Sequence, residues 1–245
     1  AVVNAPGRAY FSPVEMSMQA PFVDAAVSVD PTNRANTFLS YYTWGAALGL
    51  GLDLTLRARF PGLTLDHLMR EMWRSHGSPE VPYTVDDVEA ALGRVTGDPA
   101  FARTFFRRYV RNGDVPDFDG LLAAAGIELS LANPGRATLG RAFLRDGDQG
   151  LRVAGSTLVG TPLHRAGVDR GDLLLSVGGA DVRSEEDLAE VLEGRSPGDR
   201  VSLRFRSRGR ELEATVPLMQ DPSLSATLDP YAGPEQVRLR AAWHT

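Results

Sequence analysis

Apolar residues recur at helical spacing from Thr37 to about Asn112 and at strand-like spacing beyond Pro134, and this change of period divides the chain. The first 36 residues, with prolines at 6, 13, 21 and 31, show no sustained period and predict an irregular lead-in. A first helix is predicted over Thr37–Phe60. A second, Thr64–His76, places Leu65, Leu68, Met69, Met72 and Trp73 on one apolar face. The loop Gly77–Tyr83 ends it. Thr84, with Asp86 and Asp87 in the following turn, opens a helix to about Val95, and Asp98 opens another that ends near Asn112-Gly113. Phe118–Ala125 is a short fifth helix closed by Gly126. After Asn133-Pro134-Gly135 come five β-type runs: Leu139–Leu144, Leu151–Val159, Asp172–Val177, Val201–Arg206 and Leu212–Leu218. Ser184 caps one amphipathic helix carrying Leu188, Val191 and Leu192, and Ser196-Pro197-Gly198-Asp199 turns the chain into a final hairpin. Asp221–Pro234 reads as a proline-containing linker and Glu235–Trp243 as a last helix. The fold class is therefore α+β. An all-helical lobe over 1–134 precedes a small β-barrel-like domain over 137–219 and a linker with a tail helix over 220–245.

Ala35 to Leu52 is a stretch of 18 residues without a charge, the lower limit of about 18 for a membrane span. Asn36, Thr37, Ser40, Thr43 and two tyrosines interrupt it, so it predicts a helix buried in protein rather than in lipid. Gly45, Gly49 and Gly51 each cost a helix about 1 kcal/mol against alanine, which predicts close packing of another backbone on this helix. The 26 basic residues are all arginine, so lysine Schiff-base and phosphate-loop chemistry are excluded. With a net charge of -5, neither nucleic acid nor an anionic membrane is an expected partner. Arg103, Arg107, Arg108 and Arg111 line one side of a helix and read as a solvated or domain-facing stripe. The absence of cysteine excludes disulfides, thiolate metal sites and a cysteine nucleophile. No initiator methionine, signal peptide or stop-transfer segment is present, so Ala1 reads as an internal or processed start.

The segment from Gly160-Thr161-Pro162 through Arg165-Ala166-Gly167-Val168 to Gly171-Asp172-Leu173-Leu174-Leu175 resembles the bacterial protease-type PDZ domain, in which a short helix ends at a glycine and a Gly-Asp pair starts a strand. The resemblance extends over about Thr138–Leu218. It implies that Leu139, Gly140, Arg141, Ala142 and Phe143 form a carboxylate-binding loop and the strand after it, with Leu188 and Leu192 on the opposite wall. Successive N–H groups there would receive a peptide C-terminus while the strand pairs with the peptide. The alternative is a groove that is blocked or used against a neighbouring domain.

Ser40-Tyr41-Tyr42-Thr43-Trp44-Gly45, followed by Leu52-Asp53-Leu54-Thr55-Leu56-Arg57, resembles the glycyl aminopeptidase family of zinc metallopeptidases, as do Pro6-Gly7-Arg8 and Gln236–Trp243. That family joins a thermolysin-like catalytic domain to a C-terminal PDZ domain, and the resemblance covers essentially the whole chain. It implies peptide substrates, zinc in the full-length enzyme and a periplasmic or secreted location. Related zinc aminopeptidases carry Y-x-K-G on this helix; here Trp44 stands in place of lysine, which removes a polar group from the expected lining. The resemblance implies Tyr42 as an oxyanion donor, with Tyr41 the fallback. On helix spacing alone, core packing is the stronger reading of Tyr42, and only the resemblance turns it toward catalysis.

Zinc peptidase chemistry needs H-E-x-x-H and a further glutamate. His67, His76, His164 and His244 do not have that spacing, so this chain is expected to bind no zinc. By the resemblance, the zinc motifs would lie in an upstream catalytic segment of the same protein. His67 and Glu71, one turn apart, read as a solvated pair. Ser156 lies in a strand-like run and not in a nucleophile elbow, which argues against serine hydrolase chemistry. Two rivals remain: a non-enzymatic PDZ scaffold that recruits peptide C-termini, and a degenerate peptidase marked by Trp44.

Overall fold

The computed structural model describes residues 2–23 and 33–243; Ala1, Pro31 and His244 lie outside the described residues. In chain order the helices are α1 (Pro13–Met18), α2 (Ala20–Val23), α3 (Arg34–Thr37), α4 (Tyr41–Arg59), α5 (Leu65–Met72), α6 (Val85–Thr96), α7 (Pro99–Phe105), α8 (Phe118–Ala123), α9 (Pro162–Arg165), α10 (Glu185–Leu192) and α11 (Pro234–Trp243). The strands are β1 (Ile127–Leu131), β2 (Ala137–Thr138), β3 (Leu144–Arg145), β4 (Leu151–Val153), β5 (Leu173–Val177), β6 (Ala180–Asp181), β7 (Arg200–Ser207), β8 (Arg210–Pro217), β9 (Met219–Gln220) and β10 (Leu224–Leu228). Helical, sheet and final helical regions follow one another, the α+β architecture expected. Among the described residues no helix is long and apolar enough to cross a membrane.

Two compact units result. A helical unit gathers the described residues of Ala1–Ala25, Leu39–Ser130 and Ser225–Thr245, and a sheet unit gathers those of Ala26–Phe38 and Leu131–Leu224. At the crossings between them β1 pairs with β10, so the stretch read as a linker contains a strand.

The helical unit closes around Leu52, Leu56, Leu68, Ala91, Leu92, Phe101, Ala102, Phe105 and Phe106. Asp53, buried on α4, accepts from Arg57 Nε at 2.8 Å and from the backbone N–H of Leu65 at 2.8 Å, which ties α4 to the first turn of α5. Thr64 caps α5, and its N–H donates to Nδ1 of His67 at 3.2 Å, so histidine takes the acidic place in the capping box. Wider π turns carry α5 on over Trp73–Gly77 and α7 over Phe106–Val110. In place of one helix from Thr37, α3 ends at an extended Phe38 (φ -117°, ψ 133°) and α4 starts afresh after Ser40. Of the three glycines expected to admit a close neighbour, only Gly51 does so. A methyl group there would sit 2.7 Å from Cγ of Pro116, whereas Gly45 has nothing within 4 Å and Gly49 has only Leu65 Cδ2 at 3.7 Å.

In the sheet unit the antiparallel strands run in the order β3-β4-β5-β7-β8, with β6 on β5 and a separate β2-β9 pair. The inward faces of β4, β5, β7 and β8 meet α9 and α10 in one core that includes Leu151, Leu163, Leu174, Leu188, Leu203 and Phe205. Two predicted strands are shorter than their apolar runs. Leu151–Val159 ends at Val153, and Leu139–Leu144 is mostly loop, because Gly140 takes φ +96°. Asn36, on α3 and 3% exposed, donates to the carbonyl of Thr157 at 2.8 Å and accepts from the N–H of Val159 at 2.8 Å. That amide fastens an upstream segment onto the loop before α9.

Candidate functional site

The loop from Leu139 to Phe143 is anchored at its start. Leu139 is 2% exposed, and its carbonyl accepts from Leu163 N–H on α9 at 3.2 Å. Gly140 is pressed so closely on Thr161, the cap of α9, that a methyl group would lie 2.4 Å from Cβ of Thr161. Together with the left-handed backbone, this makes glycine the residue that fits. Gly140 N–H donates to Thr138 Oγ1 at 3.1 Å, while among the described residues the N–H groups of Leu139, Arg141, Ala142 and Phe143 donate to no protein acceptor. Four backbone donors in five residues are thus left for an outside acceptor or for water.

Among the described residues β3 is the terminal strand of its sheet and pairs on one side only, with β4. The carbonyl of Phe143 also serves the β4 side, accepting from Ala154 N–H at 2.7 Å. A strand open on its second side is a template for another chain. Ala142 and Leu144, like Leu192 of α10, pack against the core cluster that includes Leu188. Arg141 is exposed, and the Phe143 ring is exposed under the guanidinium of Arg145, 5.4 Å from its centroid.

α10 is fixed next to the far end of β3. Glu185 N–H donates to Asp146 Oδ1 at 3.1 Å, and Gly147 N–H donates to the Arg183 carbonyl at 3.0 Å. Asp187 completes the capping box, accepting from Arg183 N–H at 2.7 Å and Ser184 N–H at 3.0 Å. Those two N–H groups, then the Ser184 hydroxyl and the charge of Arg183, hold its carboxyl below the ordinary aspartate range.

In the helical unit, Tyr42 stands in the first turn of α4 and is 70% exposed, its ring 4.6 Å from that of the half-buried Tyr41. The helix is therefore open to solvent at its start and buried further on, at Gly51–Leu54. Trp44 is fully buried, and its Nε1 has no partner among the described residues. Trp44 thus belongs to the core and lines no open surface.

No group of three or more His, Asp or Glu among the described residues is placed to hold a metal. Nδ1 of His67 is occupied in its cap, and Glu71 is paired with Arg94 at 2.7 Å. His67 and Glu71 are thus each committed to another partner rather than to one another.

The PDZ domain family profile matches residues 157–207, so the sheet unit contains a PDZ domain. The periplasmic pH-dependent serine endoprotease DegQ of Escherichia coli K12 is 30% identical over 128 residues, 52% of this chain and 26% of that protein. An aminopeptidase N family protein from Idiomarina loihiensis superposes with a TM-score of 0.77 at 23% identity, over 95% of this chain and 40% of the other. That likeness establishes a shared fold. The chain spans about a quarter of the first relative and two fifths of the second.

Proposed function

We propose that the sheet unit binds the C-terminal end of a peptide, laid as an added strand along β3 with its carboxylate on the N–H groups of the 139–143 loop. The observation that carries this reading is the set of unengaged donors at Leu139, Arg141, Ala142 and Phe143 beside an open strand edge. Leu188 and Leu192 supply the apolar wall for the last side chain. Charge-assisted hydrogen bonds are roughly twice as strong as neutral ones, so a free C-terminus should bind at least about tenfold more tightly than its amide. Fluorescent peptide libraries with free and amidated C-termini test this. Equal affinity for the two would remove the carboxylate role.

A second reading rests on the exposure of Tyr42 on an uncharged stretch of α4 and on the fold shared with an aminopeptidase N family protein. In it, the chain is the C-terminal portion of a zinc-dependent aminopeptidase that removes N-terminal residues from peptides. Zinc would be held by an upstream segment of the same protein, and the location would be periplasmic or secreted, as DegQ is periplasmic. The part assigned to this chain is the Tyr42 hydroxyl, donating to the oxyanion of the attacked carbonyl. Losing one such donor lowers turnover about a hundredfold. In the full-length protein, Tyr42→Phe should therefore keep substrate affinity and lose turnover on that scale. Turnover equal to wild type would transfer the role to Tyr41 or away from this chain.

A further inference from the structure

The pair α6 and α7 carries a cleft that peptide binding does not use. Its volume is about 390 Å3, and Glu89, Ala100, Arg103, Thr104, Arg107 and Arg111 line it. This is the size range of small-molecule sites. The three arginines are spaced by four. In a regular α-helix each four-residue step overshoots a full turn by about 40°, so a third arginine would drift off the face. The π turn over Phe106–Val110, closed by Arg111 N–H to the Phe106 carbonyl at 2.9 Å, widens the last step and reduces the drift. Arg108, outside the cleft, pairs with Asp114 at 3.0 Å.

The arginines are not equivalent. Arg111 is committed to both Glu89 and Asp86 on α6 and lies against the Phe106 ring, so its charge is shared between two carboxylates and its guanidinium is held in place. The guanidinium groups of Arg103 and Arg107 make no hydrogen bond or ion pair among the described residues. Like charges one turn apart repel on a helix. In a chain with 31 acidic and 26 basic residues, two arginines stand unanswered in one concavity that Thr104 also lines.

We propose that this cleft binds a phosphate-type oxyanion between Arg103 and Arg107, with Thr104 as a further donor and Arg111 at its end. A carboxylate is satisfied by a single guanidinium fork, whereas a tetrahedral, multiply charged oxyanion has edges for two. The volume exceeds that of one phosphate, which fits a diphosphate or a small phosphate ester.

Calorimetric titration of the chain with sodium pyrophosphate, orthophosphate and acetate at constant ionic strength tests this. Saturable one-to-one binding is expected, pyrophosphate tightest and acetate at least about tenfold weaker. Arg103→Gln and Arg107→Gln should each weaken pyrophosphate binding about tenfold, the scale of a lost charged hydrogen bond, with unchanged melting. Arg74→Gln, outside the lining, should have no effect. If the double variant melts early, the single Arg103→Gln variant and Thr104→Val decide in its place. Uptake that does not saturate, acetate binding as tight as orthophosphate, or binding that survives loss of both arginines overturns the proposal.

Discussion

Truncating Asn36 to alanine should loosen the PDZ-containing unit from a position more than a hundred residues upstream of the loop it holds. The amide bridges two backbone groups, the Thr157 carbonyl and the Val159 N–H, both at 2.8 Å. The first contact is buried and the second half-buried, so water can replace only one of them. A buried group left unpaired costs roughly 1–3 kcal/mol and an ordinary hydrogen bond about 0.5–1.5 kcal/mol, for a sum of about 2–4 kcal/mol. At about 2 kcal/mol per molar of urea, the midpoint should fall by about 1–2 M. Amide exchange gives the local measure, because Val159 N–H should exchange at least about 30-fold faster. Asn36→Asp should be worse than alanine at neutral pH, since it sets a carboxylate oxygen against the Thr157 carbonyl. Wild-type exchange at Val159 together with an unchanged midpoint would refute the reasoning.

Gly45→Ala should stabilise the helical unit by about 0.5–1 kcal/mol, because the site is open and alanine is the better helix former. Gly51→Ala should destabilise it by about 1–2 kcal/mol, because the rigid Pro116 ring lies 2.7 Å from the added methyl and overpacking outweighs propensity. Thermal melting followed by tryptophan fluorescence checks both, and shifts of the same sign would contradict the packing argument. The Asp187 carboxyl titrates lower in the folded chain than in the unfolded one. Its cap is therefore fully effective above the ordinary aspartate value of about 3.9 and is lost as pH falls through the lower folded value. The deficit of Asp187→Asn relative to wild type should accordingly shrink below about pH 4 and vanish in stronger acid; a deficit independent of pH would rule out the capping account.

Features written in neighbouring residues were legible in the sequence. Thr84, Asp98 and Ser184 all cap the helices they announce, because a cap needs only a side-chain oxygen and an N–H three residues on. Gly140 was placed in a loop by the resemblance alone, while the apolar pattern read Leu139–Leu144 as a strand. What depended on distant residues was not legible. β1 and β10 pair across most of a hundred residues, and nothing in either strand names its partner. Asn36 looked like one polar interruption in an uncharged run, and its value became visible only once Thr157 and Val159 stood beside it. Gly45 and Gly51 look alike in sequence and differ only in whether Pro116 is near. His67 and Glu71, one turn apart, read as a solvated pair; the capping geometry at Thr64 and the approach of Arg94 gave each another partner.

Ala132 N–H donates to the Ser223 carbonyl at 2.8 Å, so the chain leaves the helical unit and returns to it through neighbouring strands. Everything between those residues is, in engineering terms, a cassette with its two ends already side by side. A short turn joining 132 to 223 should let the helical unit close without it, and a different binding module should be acceptable in the same slot. The exchange has one asymmetry. The cassette's own stability draws on Asn36, which is encoded before the first long helix, so a transplanted domain would leave α3 with nothing to hold, and the native domain moved elsewhere would have to carry residues 33–38 with it.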